Sequence, residues 1–252
     1  MQDNSALGRI TTLVRDLRIR CAWDRAQTRE TLRPYLVEEV LELDQAIAAG
    51  DADAIRDEAG DLLLHLAWQV VLGEERGEFT AETLADRTER KMHRRHPHLF
   101  DAGPAVPWET LKRRERSRGT LEGLPPALPG LLMASRLQER AASVGFDWPD
   151  PSGPAAKVRE ELAEVEAELA DAAPLDAVEA EIGDLLFAVV NLARKAGVQP
   201  GAALDRANRK FRARFAAVEA LAAQRGLSLD EAGLERLDAL WNEVKSDATA
   251  TG

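Results

Sequence analysis

The sequence predicts an all-α protein made of two tandem helical repeats, and three observations carry that prediction. Aromatic residues make up only 5% of the 252 residues, and apolar positions recur at helical spacing without strand-like alternation. Residues that start and stop helices recur throughout. Above all, the second half repeats the chemistry of the first half in the same order.

Taken in order, Gly50 follows one periodic run and Thr80 opens another. Pro107 and Pro129 suit first turns, and Pro174, Pro200 and Ser228 precede later helices. Each half reads as four or five helices. Between the halves, Gly119 to Gly130 is dense in Pro and Gly, which removes backbone donors and helix propensity, as a linker does. The expected organisation is an N-terminal helical domain over 1–118, a linker over 119–130 and a C-terminal helical domain over 131–252. A second loop, Phe146 to Pro154, carries three prolines and separates a leading helix from the acidic helix that follows.

The repeat has four elements. In the first copy they are Glu38-Glu39-Val40-Leu41-Glu42, Glu58-Ala59-Gly60-Asp61, the stretch Lys91 to Arg95, and Trp108-Glu109-Thr110-Leu111-Lys112. In the second they are Glu160-Glu161-Leu162-Ala163-Glu164, Glu181-Ile182-Gly183-Asp184, Lys210 to Arg214, and Trp241-Asn242-Glu243-Val244-Lys245. The offset is 122 residues from Glu39 to Glu161, 123 from Glu58 to Glu181, 119 from Lys91 to Lys210 and 133 from Trp108 to Trp241. Insertions and deletions therefore fall between elements and not inside them. A surface of random charges would not keep that order twice.

Helical geometry turns the acidic motif into a site. At about 100° per residue, Lys157 and Glu164 fall on one side of Glu161, while Val158, Leu162, Val165 and Leu169 fall on the other as an apolar stripe. On the next helix Glu181 and Asp184 share an edge beside Val178, Leu185 and Val189. Two such helices packed antiparallel bring four carboxylates together, which repel unless cations neutralise them. Oxygen donors without His or thiolate suit Mg²⁺, or Mn²⁺, and not zinc. Gly60 and Gly183, inside their helices, each cost about 1 kcal/mol against Ala, which leads us to expect a neighbouring helix or ligand approaching closely there.

Acids that collect such metals serve phosphate substrates, and phosphate needs cations from the protein. Lys210 and Arg214 share a helical face beside Phe211 and Phe215, which are expected to anchor that helix in the core. Lys157 lies one turn before Glu161, and Trp241 offers a surface on which a base can stack. No Walker glycine loop or dinucleotide fingerprint is present. His65, His93, His96 and His98 show no ligand spacing with the acids and read as structural or solvent-facing.

Bulk properties exclude other classes. The net charge of −11 argues against general nucleic-acid binding. The single cysteine, Cys21, cannot form an internal disulfide, the opening residues Met1 to Ile10 lack a signal sequence, and no apolar run approaches a bilayer span. A soluble cytoplasmic protein is expected.

At this point the chain resembles a known family. The duplicated EExxE and ExxD helices are similar to those of the all-α nucleoside triphosphate pyrophosphohydrolases of the MazG type. The resemblance extends over nearly the whole chain through Cys21-Ala22-Trp23-Asp24 with Gln27-Thr28, Arg94-Arg95-His96-Pro97-His98, Val144-Gly145-Phe146-Asp147-Trp148 and Gly183-Asp184-Leu185-Leu186-Phe187. It implies Mg²⁺-dependent cleavage between the α- and β-phosphates of a nucleoside triphosphate, giving a monophosphate and pyrophosphate. It also implies a homodimer whose subunits complete each helical bundle, and a role in clearing nucleotides or in stress. Carried over by position, Glu161, Glu164, Glu181 and Asp184 are metal ligands, Lys157, Lys210 and Arg214 contact phosphates, and Trp241 contacts the nucleoside. Glu160 is a candidate to accept the proton of the attacking water. The first copy offers a second, weaker set in Glu39, Glu42, Glu58, Asp61, Lys91, Arg95 and Trp108.

The copies are not equal. Tyr35, directly after Pro34, stands where Lys157 stands in the second half, so the second half is expected to be the main catalytic unit. Two rival readings remain. A carboxylate-bridged di-iron bundle needs an ExxH pair, which neither copy supplies. A non-enzymatic helical interaction or regulatory module is allowed by the Ala-rich helices and the basic stretch Lys112 to Arg118. Metal dependence separates it from a hydrolase.

Overall fold

A computed structural model of the chain describes residues 5–101, 103–106, 108–114 and 119–250. Pro107 and, from the basic stretch, Glu115 to Arg118 lie outside the described residues. Every regular element among the described residues is a helix, and none of these helices is long and apolar enough to cross a membrane. The chain divides into two compact units, the first ending at Val106.

The first unit contains α1 (Ala6–Arg20), α2 (Ala22–Ala26), α3 (Arg29–Ala49), α4 (Ala52–Glu75), α5 (Ala81–Arg95) and α6 (Pro97–Phe100). Its helix ends follow the side-chain chemistry. Thr28 and Thr80 each accept from the backbone N–H three residues on, while Thr31 and Thr83 return the bond to the cap residue. Such a cap is worth about 1 kcal/mol. Asp51 accepts from the N–H groups of Asp53 and Ala54 at the start of α4. Gly50 ends α3 at φ 72°, a left-handed conformation that glycine adopts without a Cβ clash. Val14, Leu32, Ala67, Trp68, Val71 and Leu72 form the core between α1, α3 and α4. Arg18 lies 5.4 Å from the Trp68 ring centroid and donates to the carbonyls of Asp24 and Gln27, which fixes α2 against α1.

The second unit contains α7 (Trp108–Arg114), α8 (Gly130–Ala142), α9 (Ser152–Ala170), α10 (Leu175–Lys195), α11 (Pro200–Gln224) and α12 (Leu229–Ala250). With the short α2, α6 and α7 included, each unit has six helices among the described residues, against the four or five expected. Pro129 and Pro174 occupy the N-cap positions of α8 and α10, and Pro200 the first turn of α11. The acidic helix α9 begins at Ser152, so Pro154 belongs to its first turn and not to the preceding loop. The stretch expected as a linker is held to the second unit by Arg140, whose Nη1 donates to the carbonyls of Leu121 (3.1 Å) and Glu122 (2.6 Å). Helices α9 and α10 pack as a hairpin across the short turn 171–174, and α8 lies against α10 and α11. Val218, Ala222 and Leu240 bind α11 to α12.

Three expectations about packing need correction. On α9, Val165 is buried, but Leu162 and Leu169 are exposed and Glu161 is buried. The covered face is therefore centred nearer the acids than the apolar stripe predicts. Phe211 and Phe215 do not anchor a core: they are 57% and 40% exposed and stack on each other. A Cβ placed on Gly60 or Gly183 meets nothing within 4 Å, so no part of the described chain approaches closely at either glycine.

Candidate active site

The α9–α10 hairpin places ionisable groups three and four residues apart on facing helix surfaces. Glu161 from α9 and Glu181 and Asp184 from α10 each present an oxygen, and these oxygens lie within 4.8 Å of one another. The α3–α4 hairpin does the same with Glu39, Glu58 and Asp61. The fourth acid of each motif sits beside its cluster. Glu164 donates to the Glu161 carboxylate when protonated, and this bond first, then burial, raises its pKa. Glu42 acts electrostatically on Glu39 and Glu58.

The two clusters differ in counter-charge. Lys157 Nζ lies 2.6 Å from Glu161 Oε1 and 2.9 Å from Glu160 Oε1. Its hydrogen bond to Glu161 holds the Glu161 carboxyl below the usual carboxylate range, although burial opposes it. The same two carboxylates push the Lys157 ammonium well above its ordinary range. Glu39 has Tyr35 in the position of that lysine. Burial, then Asp61, Glu42 and Glu58, raise the Glu39 carboxyl, and burial followed by Glu42 and Asp61 raises that of Glu58. Repulsion in a partly desolvated group of acids favours the neutral form.

His65 fits its structural reading but lies nearer the first cluster than its spacing suggests. His65 is not isolated from the acids: it is buried, and its Nε2 lies 4.0 Å from Glu39 Oε1. Its Nδ1 has no hydrogen-bond partner. Burial holds its pKa below the ordinary imidazole value, so it adds no counter-charge of the kind Lys157 provides. The repeat places Ala188 at the corresponding point of α10. The other histidines are local: His93 stacks on Phe100, and His96 Nδ1 is 2.8 Å from the Met92 carbonyl.

The remaining expected residues group elsewhere. Lys210 is exposed and Arg214 half-buried on α11, which packs on α8 and α12 and touches α10. The Trp241 ring lies 5.3 Å from that of Phe211 and packs against the α11–α12 core. Glu160 is exposed and shares Lys157 with Glu161. In the first copy Lys91 and Arg95 lie on α5, whereas Trp108 lies on α7 of the second unit.

The loop before α9 supplies groups to which the sequence alone gives no role. Asp147 pairs with Arg194 and with Lys195, the latter at 3.2 Å, and Lys195 also donates to the Trp148 carbonyl at 2.6 Å. The Arg194 hydrogen bond holds the Asp147 carboxyl below its usual range. The Gly145-Phe146-Asp147-Trp148 stretch was the signal available for this anchor.

Chemically, each cluster is an all-oxygen donor set that fits a hard divalent cation. Burial and close packing of the acids raise the carboxyls of Glu39 and Glu58, and a hydrogen bond to Glu161 with burial raises that of Glu164.

Comparison with known proteins follows the same division. The profile described as MazG nucleotide pyrophosphohydrolase domain matches twice, over residues 27–100 and 152–218, the segments that carry the two acidic hairpins. A Thermotoga maritima protein named nucleoside triphosphate pyrophosphohydrolase/pyrophosphatase MazG is 42% identical over 231 residues, 89% of each chain. An Escherichia coli K12 protein named nucleoside triphosphate pyrophosphohydrolase is 39% identical, over 92% of this chain and 93% of its own. A Bacillus subtilis protein, YabN, is 39% identical over 93% of this chain but only 50% of its own length.

Proposed function

Because the chain belongs to the MazG nucleotide pyrophosphohydrolase family, we propose that it hydrolyses nucleoside triphosphates between the α- and β-phosphates, releasing a monophosphate and pyrophosphate. The observation that carries the reading is the oxygen cluster of Glu161, Glu181 and Asp184 with Lys157 at 2.6 Å from Glu161. Glu161, Glu164, Glu181 and Asp184 would hold Mg²⁺, or Mn²⁺, which would supply Lewis-acid polarisation of the phosphate oxygens when bound. Lys157, 2.6 Å from Glu161 on the same face of α9, contacts the substrate phosphates. Glu160, sharing Lys157 and open to solvent, accepts the proton of the attacking water. Lys210 and Arg214 stabilise charge on the leaving pyrophosphate, and Trp241 contacts the nucleoside.

We read residues 1–118 and 131–252 as the two functional copies, joined by 119–130, with the second as the main catalytic unit. The chain acts as a homodimer, a reading supported by the exposed Leu162, Leu186, Phe187 and Phe211 of the second unit. Its setting is the cytoplasm, where a net charge of −11 and a lone cysteine raise no conflict.

Product analysis tests the reading. Several nucleoside triphosphates with Mg²⁺ should yield monophosphate and pyrophosphate in equal amounts, and chelation should stop the reaction. Orthophosphate release would place the cleavage between the β- and γ-phosphates and overturn the α/β reading, and no metal-dependent turnover with any triphosphate would favour the interaction module instead.

A further inference from the structure

The acid cluster of the first unit lacks the counter-charge that its twin carries. In the second unit Lys157 Nζ lies 2.6 Å from Glu161 Oε1. In the first, every charged side chain that acts on Glu39 and Glu58 is itself acidic. The three oxygens within 4.8 Å of one another, on half-buried Glu39 and Glu58 and exposed Asp61, therefore repel with nothing to offset them. Exposed acids gather on many surfaces without an ion, but a buried polar side chain aimed at them is a different matter.

His65 is that side chain. It is 7% exposed, follows Asp61 by about one turn of α4, and turns its Nε2 toward Glu39 Oε1 on α3 at 4.0 Å. The gap is about 1 Å longer than a hydrogen bond, and Nδ1 has no partner either. A buried imidazole with neither nitrogen paired is costly. Nδ1 is enclosed away from any acceptor, so the ring keeps its proton on Nε2, the nitrogen that faces a carboxylate. It offers Glu39 an N–H and offers an ion no lone pair. Carboxylates that ligate metals are held by outer hydrogen bonds of this kind.

The room beyond the acids decides how large a ligand each cluster accommodates. Along α10, Phe187, Asn191 and Arg194 follow Asp184 and line a pocket of about 620 Å³. Along α4 the residues 123 positions earlier are Leu64, Trp68 and Val71. Trp68 and Val71 are buried in the core with Val14 and Leu32, and Leu64 packs against that core. Positions that border open space in the second unit are thus filled by packed side chains in the first. Acids with a buried donor beside them and a solid core behind them suit a bare ion, not an ion that carries a nucleotide.

We propose that Glu39, Glu58 and Asp61 hold a divalent cation in the absence of substrate, and that His65 is the positioning residue that donates its Nε2–H to Glu39 and fixes that carboxylate toward the ion. An all-oxygen set of this kind takes Mg²⁺ or Mn²⁺. The ion ties α3 to α4 and is a structural part of the first unit. In the second unit Lys157 already engages Glu161, so the nucleotide-free chain loads its first cluster before its second.

The test is Mn²⁺ binding to the full chain without nucleotide, read from the electron paramagnetic resonance of the free ion. The wild type should hold one Mn²⁺ per chain more tightly than any other. Glu58→Gln should abolish that tight binding, as should Asp61→Asn at an exposed position where folding is not at stake, and Glu181→Gln should leave it intact. His65→Leu should weaken it by about tenfold or more, the scale of an outer hydrogen bond at a metal site. His65→Gln, which keeps an N–H donor, should retain most of the wild-type affinity. At concentrations that load only the tight site, Mn²⁺ should raise the Tm of the wild type and of Glu181→Gln but not that of Asp61→Asn, because an ion that binds the folded chain stabilises it. The proposal is overturned if the nucleotide-free chain takes up no Mn²⁺, or if the tight ion is lost in Glu181→Gln and kept in Asp61→Asn. Unchanged affinity in His65→Leu overturns the role given to His65. No substrate enters the readout, so failure of the pyrophosphohydrolase reading would show itself separately, as absent turnover.

Discussion

The two acidic hairpins share a geometry and differ in electrostatic state. In each, three carboxylate oxygens from two helices lie within 4.8 Å of one another. In the second hairpin Lys157 holds the Glu161 carboxyl below its usual range, whereas in the first Tyr35 stands in the lysine's position and burial, then neighbouring acids, raise Glu39 and Glu58. The backbone of a helical hairpin thus sets where the acids go, while a single lysine one turn upstream lowers the carboxyl it touches, and burial with neighbouring acids raises the others. Duplication has kept the ligand geometry and released the charge balance.

The largest effect that can break this comparison is loss of one ligand from each copy. Glu181→Gln should lower pyrophosphate release on the order of a hundredfold or more, because even outer-shell partners of a metal site cost about 10–100-fold when removed. Glu58→Gln should leave most of the activity. Single-turnover and steady-state assays of both variants check this, and equal losses would mean that the halves act together.

A smaller effect sharpens the electrostatic contrast. Lys157→Ala should reduce kcat/KM by about tenfold or more, the scale of one charged hydrogen bond, and should let the Glu161 carboxyl rise. Tyr35→Lys should bring Glu39 down. In the metal-free protein the two groups then act with opposite sign. The lowered Glu161 contributes stability that is present above its ordinary value of 4.5 and is lost as pH falls through its depressed value. The raised Glu39 contributes stability that is present below 4.5 and is lost as pH rises through its elevated value. Carboxyl NMR titrations of wild type, Lys157→Ala and Tyr35→Lys read these shifts directly. Identical titration of Glu39 and Glu161 in the wild type would dissolve the contrast.

Much of this was legible in the sequence, because helix periodicity and capping are local. Thr80, Gly50, Pro174 and Pro200 sit at helix ends as expected, and of the four acids expected together in each copy three have oxygens within 4.8 Å of one another. A helical wheel gives directions from the axis but not which neighbour covers each one. Leu162, Phe211 and Phe215 were therefore assigned to buried faces that prove open, and Glu161 proves more covered than Leu162. The nearness of His65 to Glu39 was not legible because it crosses from one helix to another and follows no ligand spacing.

The smallest effect concerns the glycines that both copies place between their acids. Gly60 and Gly183 lie inside α4 and α10, and a Cβ on either meets nothing within 4 Å. In a lone chain, Gly60→Ala and Gly183→Ala should therefore each stabilise by about 1 kcal/mol, the helix preference for Ala, and raise Tm by a few degrees. If a second copy of the chain seats on α10 beside the catalytic acids, the added methyl meets its helix and the Gly183→Ala gain becomes a loss. Gly60→Ala keeps its gain if the first hairpin takes no such partner. Thermal unfolding at two protein concentrations, with sedimentation to follow the dimer, separates the cases. Equal gains in both variants would show that neither open face is used, and a loss at Gly183 alone would assign the subunit contact to the hairpin that Lys157 keeps charged.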